Sequence, residues 1–258
     1  MDHVVDVSGR TPLAPSADPA AAAGQALTTT GAHLMPAAAT MACLGVDVDQ
    51  WRRFTTHWES LTADPYASER GTRRLRRYGH FVFSAPRRCF HLLPPAAFVQ
   101  PESSNPLYVD VDRRFDPLTS SFVADPVVGS LLRMLGRLAT GLDDSERWDV
   151  KVHPFRVIAS GEAAGLPTPE GLHRDGVTLV SSLMVGRRNA TGGESEVRDM
   201  DGHRLLATTL DEPGTLLLGD DRRTLHGVSP VRPLDPHTQA RRDVLVVTYA
   251  PRRGSTTG

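Results

Sequence analysis

From residue 150 onward the chain is a succession of short apolar runs cut by turn residues, and no other feature restricts the fold as much. VKVHPFRVI (150–158), GVTLVSSLMV (176–185), GTLLLGD (214–220) and RDVLVVTYA (242–250) have the length and β-branched content of strands. Turn-forming clusters such as TPEG and NATGG separate them. YGHFVF (78–83) and PLYVDV (106–111) read as earlier strands. Two helices complete the pattern. In 47–62, Trp51, Phe54, Trp58 and Leu61 recur at helical spacing, with Asp47 or Asp49 to cap the start. In 126–142, Leu131, Leu132, Leu135 and Leu138 make a similar face behind Pro126. Short strands after a helical first part predict a mainly β protein with flanking helices, a sandwich or jelly roll.

Composition limits the rest. The 258 residues carry a net charge of −1, which exerts no global pull on nucleic acid or an anionic membrane. The arginines at 70, 73, 74, 76 and 77 lack aromatic interleaving, so a nucleic-acid surface is not expected there. No run of about 18 apolar residues predicts a membrane span, and the start MDHVVDVSGR has no apolar signal core. Cys43 and Cys89 have no zinc-like spacing and read as reduced thiols of a cytosolic protein. Residues 1–40, rich in Ala, Pro, Thr and Gly, are expected to be a disordered segment or a flap, with residues 41–252 forming one domain.

Chemistry concentrates in GLHRDGV (171–177). His173 and Asp175 are two residues apart, so in extended backbone both side chains reach one point. TLHGVSPVRP supplies a distant third group, His226. Two imidazoles and a carboxylate suit one face of a non-haem iron(II) and leave three positions for a bidentate cosubstrate and dioxygen. From spacing alone, such a site and three ordinary polar residues are equal readings. Arg242, 16 positions beyond His226, opens a strand on which Val244, Val246 and Thr248 share its face. A guanidinium there can grip the distal carboxylate of a dicarboxylate, and Thr248 can add a hydroxyl. Arg241, on the opposite face, competes for that role, and a surface ion pair with Asp243 is the alternative for either arginine.

HRDG, RRNATGGES (187–195), DDRRTLHGVSP (220–230) and RRDVLVVTY (241–249) together resemble the 2-oxoglutarate–iron dioxygenase family of the bacterial L-isoleucine dioxygenase type, which hydroxylates free L-amino acids. RRLRRYGHF (73–81) and QPESSNPLYVDVDRRFDPL (100–118) are similar to the first half of that family, so the resemblance runs over about residues 45–250. It implies a double-stranded β-helix that uses Fe(II), 2-oxoglutarate and O2. His173, Asp175 and His226 would then be the metal ligands and catalytic centre, and Arg242 the clamp on the cosubstrate. Arg174 stands where relatives often carry Gln, on the face away from the metal.

The implied reaction oxidises an unactivated C–H bond of a free amino acid or a derivative. Hydroxylation is the default, with desaturation or ring closure open. Arg156, in the strand before the ligands, is the leading candidate for a carboxylate of substrate or cosubstrate. Arg77, Tyr78, Gln100, Asn105 and Arg114 are further substrate candidates from the family-like first half, and His153 reads as structural. Two rival readings remain: a related iron oxygenase acting on a larger or carrier-bound metabolite, and a metal-binding β-barrel without activity. Monomer and homodimer are both open.

Overall fold

A computed structural model describes residues 18–68, 72–98 and 112–252. In chain order, α1 (Pro19–Thr29), β1 (Ala32–Met35) and α2 (Ala37–Leu44) come first. Next are α3 (Val48–Thr55), a 3-10 turn (Thr56–Ser60), β2 (Thr62–Ala63), α4 (Pro65–Ser68), β3 (Arg73–Arg76), β4 (Gly79–Ser84) and β5 (Cys89–Leu92). Helices α5 (Ser120–Val123) and α6 (Pro126–Leu142) lead into the long strand β6 (Arg147–Ala159). The remainder is β7 (Leu179–Arg188), β8 (Ala190–Gly192), β9 (Glu194–Asp199), β10 (Arg204–Thr209), β11 (Leu216–Asp220), β12 (Thr224–Val228), β13 (Val231–Pro233) and β14 (Ala240–Pro251).

A large antiparallel sheet runs in the order β1-β11-β7-β14-β6-β3-β2, and β10-β9-β12 forms a second, smaller sheet. These two layers are the jelly roll expected from the strand pattern, a double-stranded β-helix with helices outside. One face of the large sheet is dry. Trp148, Val150, Val152, Leu179, Leu183, Leu245 and Val247 pack there with Val128, Leu131, Leu132 and Leu135 of α6. Each such burial stabilises the fold by about 1.5–3 kcal/mol relative to exposure. Tyr249 spans the layers, its buried hydroxyl donating to the Leu132 carbonyl at 2.6 Å. The opposite face, carrying Arg242, Val244, Val246 and Thr248, is left to line a cavity.

Helix α6 occupies the predicted 126–142, its amides capped by Asp125, which accepts from Val127 N at 2.9 Å. The first predicted helix is capped by Asp47 and Gln50 in a reciprocal box, but it tightens to 3-10 at Thr56. There the hydroxyls of Thr55 and Thr56 donate back to the carbonyls of Arg52 and Arg53 at 2.8 and 2.6 Å, competing with the helical ladder. The predicted strand over 106–111 lies outside the described residues.

One expectation is corrected. Residues 18–40 are not disordered: α1 packs on α6, and β1 pairs with β11 as an edge of the large sheet. Ala23, Leu27 and Met35 are fully buried. Small alanines let α1 lie close to α6, so a segment poor in large side chains still buries its face. Among the described residues no helix is long and apolar enough to cross a membrane.

Candidate active site

The backbones of His173 and His226 form an isolated antiparallel bridge. His173 N donates to His226 O at 3.0 Å and His226 N to His173 O at 2.9 Å. Directly paired residues project to one side of a ladder, so the two rings lie together with centroids 4.4 Å apart. Asp175, two residues along, faces the same point: its carboxylate is 3.8 Å from the Nε2 of His173 and 3.8 Å from the Nε2 of His226. Ligand atoms of all three lie within 4.8 Å of one another. Gly171 (φ 79°) and Gly176 (φ 73°) turn the chain on either side, in a region that side chains rarely adopt.

The nitrogen chemistry fits a metal. His173 Nδ1 lies 3.0 Å from the Gly171 carbonyl, to which it donates, so the lone pair stays on Nε2 toward Asp175 and His226. His226 Nδ1 faces the carboxylate of Asp221 at 3.5 Å. Asp221 is buried and accepts from the amides of Asp175 at 3.1 Å and Val177 at 3.0 Å. Burial alone would raise its pKa, but His226 and these amides outweigh it and hold Asp221 below the usual carboxylate range. Burial likewise lowers His226, and the carboxylates of Asp221, Asp175 and Glu170 more than offset it. Two imidazoles and one carboxylate on one side are the ligand set of a facial iron(II) site. A second cluster, Asp199, Asp201 and His203, is largely exposed, and its Asp199 carboxylate is taken up by the Asp201 and His203 amides of its own turn.

The triad opens into a cavity of about 150 Å³, large enough for a small molecule. Arg242 reaches it from β14 and is 2% exposed, and its Nε and Nη2 have no partner among the described residues. A buried guanidinium with unmet donors is costly unless an anion completes it. Burial, with Arg187 nearby, brings its pKa down to about 10, which still leaves it charged at neutral pH. Gly193 gives it room: a Cβ there would lie 3.2 Å from Arg242 Cδ. Arg187 itself donates to the carbonyls of Ala190 and Gly192 at 3.1 and 2.9 Å. Val244, Val246 and Thr248 line the same cavity, whereas Arg241 points away, 4.0 Å from Glu59.

Arg156 does not reach the cavity, which corrects the expectation for it. It donates from Nε and Nη2 to Asp243 at 2.8 Å each and to Glu59 at 2.8 and 3.3 Å. Strand parity explains this. Arg242 pairs with Val157 and Asp243 with Arg156, so Arg156 shares the face of Asp243 and not that of Arg242. Arg77 is likewise structural, donating to the carbonyls of Ser60 and Pro117 at 2.8 Å each. Tyr78 is buried against the His153 ring, and Arg114 is exposed with its amide donating to the Tyr66 hydroxyl. None of these three lines the cavity. Gln100 and Asn105 lie outside the described residues. Arg174, as expected, is not on the cavity wall.

Several lining residues were not expected in the site: Glu170, Lys151 and Arg113 were not singled out from the sequence, His153 read as structural, and Arg76 figured only in the arginine cluster. Alternation along β6 was the available signal for two of them, since Lys151, His153, Phe155 and Val157 share the cavity face. Asp221 had no signal beyond its place in the DDRRTLH turn.

The 2OG-Fe dioxygenase family model matches residues 55–248, and the chain belongs to that family. The family uses Fe(II), 2-oxoglutarate and O2, and the protein is a non-haem iron oxidoreductase of this class. A bsmA homolog of Methylobium petroleophilum PM1 is 35% identical over 90% of this chain and 92% of its own, with a TM-score of 0.83. IDO from Bacillus thuringiensis superposes at 0.74 with 17% identity, covering 97% of this chain and 100% of its own. The Fe(II)/(alpha)ketoglutarate-dependent dioxygenase TqaL superposes at 0.73 with 20% identity, over 92% and 88% of the two chains. The last two similarities establish the shared fold. No curated protein matches the sequence.

Proposed function

We propose that the protein hydroxylates an unactivated C–H bond of a free L-amino acid or a close derivative, as in the isoleucine dioxygenase type. In this reading His173, Asp175 and His226 hold the iron, and Arg242 clamps the distal carboxylate of 2-oxoglutarate, with Thr248 farther along the same face of β14. The bound iron and cosubstrate supply the oxidising power for the C–H bond. The chain's own work is to hold, orient and enclose.

The observation that carries the reading is Arg242: a buried, charged guanidinium with two unmet donors on the wall the triad opens into. A fork of parallel donors suits a carboxylate held bidentately. For the substrate, the opposite part of the wall offers both signs of charge. Arg76, Arg113 and Lys151 are cationic, and Glu170 lies 3.5 Å from His173 Nε2. A zwitterion answers to that combination.

The test is aerobic incubation with Fe(II), ascorbate, 2-oxoglutarate and a panel of L-amino acids. Succinate should form in step with a product heavier by one oxygen atom. No substrate-dependent succinate from iron-loaded protein with any member would exclude the amino-acid reading.

A further inference from the structure

On the β6 side of the cavity, buried basic groups gather around aromatic rings. Lys151, His153, Phe155 and Val157 project there from one strand. The His153 ring is held on three sides: stacked on Tyr78 at 5.0 Å, parallel to Phe155 at 5.7 Å, and edge-on to Phe98 at 5.0 Å. Its Nδ1 contacts Nη2 of Arg76. A guanidinium only donates, so Nδ1 is the acceptor and the ring proton sits on Nε2. Burial, then Arg76 and Lys151, push the His153 pKa well below its ordinary value, so the ring is a neutral imidazole. Its remaining polar atom is one N–H donor with no protein acceptor among the described residues.

Arg76 is 3% exposed and rigidly placed. Its guanidinium lies 3.6 Å from the Phe115 centroid and 4.5 Å from that of Phe155. The Asp64 carboxylate, 3.7 Å away, already binds Arg74 at 2.8 Å and the Tyr66 and Ala67 amides. Arg76 Nε is buried without a partner among the described residues. Lys151 Nζ sits 4.8 Å above the Phe98 ring, and burial lowers its pKa against the pull of Asp175 and Asp149. Thus a fixed N–H donor and a lysine two residues apart on β6 line one part of the wall, and Arg76 stands behind the His153 ring and fixes its tautomer. Desolvated donors placed side by side in this way favour an anion bound between them.

This part of the wall is separate from Arg242. Arg242 pairs with Val157 across the ladder, whereas Lys151 pairs with Thr248, six residues further along β14. At strand spacing that is about 20 Å along the sheet. We propose that His153 and Lys151, with Arg76 holding the His153 tautomer, form a second carboxylate subsite, which holds the carboxylate of the substrate while Arg242 holds that of the cosubstrate. The assignment rests on the amino-acid reading above for the identity of the molecule, and on the wall itself for its charge.

The experiment is anaerobic calorimetry on the Fe(II)- and 2-oxoglutarate-loaded enzyme. The ligands are the best amino acid of the panel and its primary amide, titrated into wild type, Lys151→Met and His153→Asn. Wild type should prefer the acid, and each variant should lose that preference with at least about tenfold weaker acid binding. Binding of 2-oxoglutarate should be unchanged, which also shows that the variants are folded. Equal binding of acid and amide by wild type, or an acid preference that survives both variants, overturns the subsite. If no amino acid binds, the amino-acid reading fails, and N-acetylated amino acids and short-chain carboxylic acids are titrated instead. Binding of these that depends on Lys151 upholds the subsite, and no binding overturns it.

Discussion

The carboxylate of Asp221 lies 3.1 Å from the amide nitrogen of Asp175 and accepts its hydrogen bond, so a buried acid fixes the backbone of a residue of the metal site. The same carboxylate receives Val177 N at 3.0 Å and faces His226 Nδ1 at 3.5 Å. One side chain thereby ties together the two segments that bring ligands. Asp221→Ala leaves two amides without their acceptor and His226 without its neighbour. Outer partners of this kind are worth about 10–100-fold in metal affinity. Chelator competition should show Fe(II) binding weakened by that order, with the three ligand side chains intact.

Arg242→Gln should weaken 2-oxoglutarate binding sharply. Truncating one partner of a buried charge pair costs about 2–5 kcal/mol, or roughly 30- to several-thousand-fold. Calorimetry on the iron-loaded protein measures it. The cosubstrate-free fold should not suffer, because the variant removes a buried cation that has two unmet donors. A melting temperature equal to or above that of wild type is therefore expected.

Arg156→Gln should do the reverse. Asp243, which burial already pushes upward in pKa, would lose the partner that lowers it. Leaving a buried charge unpaired costs about 3–5 kcal/mol, discounted here because Glu59 is mostly exposed and Asp243 is partly so. Thermal unfolding should shift down by several degrees, while affinity for 2-oxoglutarate stays within twofold of wild type.

His153 sets a pH dependence of stability. Its folded pKa lies well below the ordinary 6.5. Below pH 6.5 the unfolded chain therefore binds a proton that the native state refuses. Stability contributed at neutral pH is lost as pH falls through 6.5 toward the folded value, with a slope of up to about 1.4 kcal/mol per pH unit. Denaturant unfolding between pH 7 and 5 should show a flatter profile for His153→Gln than for wild type.

The fold was legible because its strands carry their own punctuation, and α6 because its leucine stripe and Asp125–Pro126 start agree. The triad was legible because two of its residues are adjacent in register and the third closes a bridge with one of them. What failed was parity. Arg156 and Arg114 each sit one residue from a cavity-lining neighbour, Phe155 or Val157 in one case and Arg113 in the other. A one-residue offset in a strand moves a side chain to the other face, and composition says nothing about which face is which. The register of Arg242 against Val157, which decides it, exists only once the strands are paired. Helix α1 was hidden for a different reason: alanines bury little area each, and their value lies in how closely α6 can approach.

The proposed chemistry requires one iron held by His173, Asp175 and His226. Its most direct test is anaerobic Fe(II) binding, read as metal per chain after gel filtration, for wild type and His226→Ala. Wild type should retain one iron per chain and His226→Ala close to none, with both proteins showing the same far-ultraviolet circular dichroism. Undiminished iron in a folded His226→Ala protein would contradict the assignment and move the metal elsewhere, with the exposed Asp199, Asp201 and His203 cluster the first place to look.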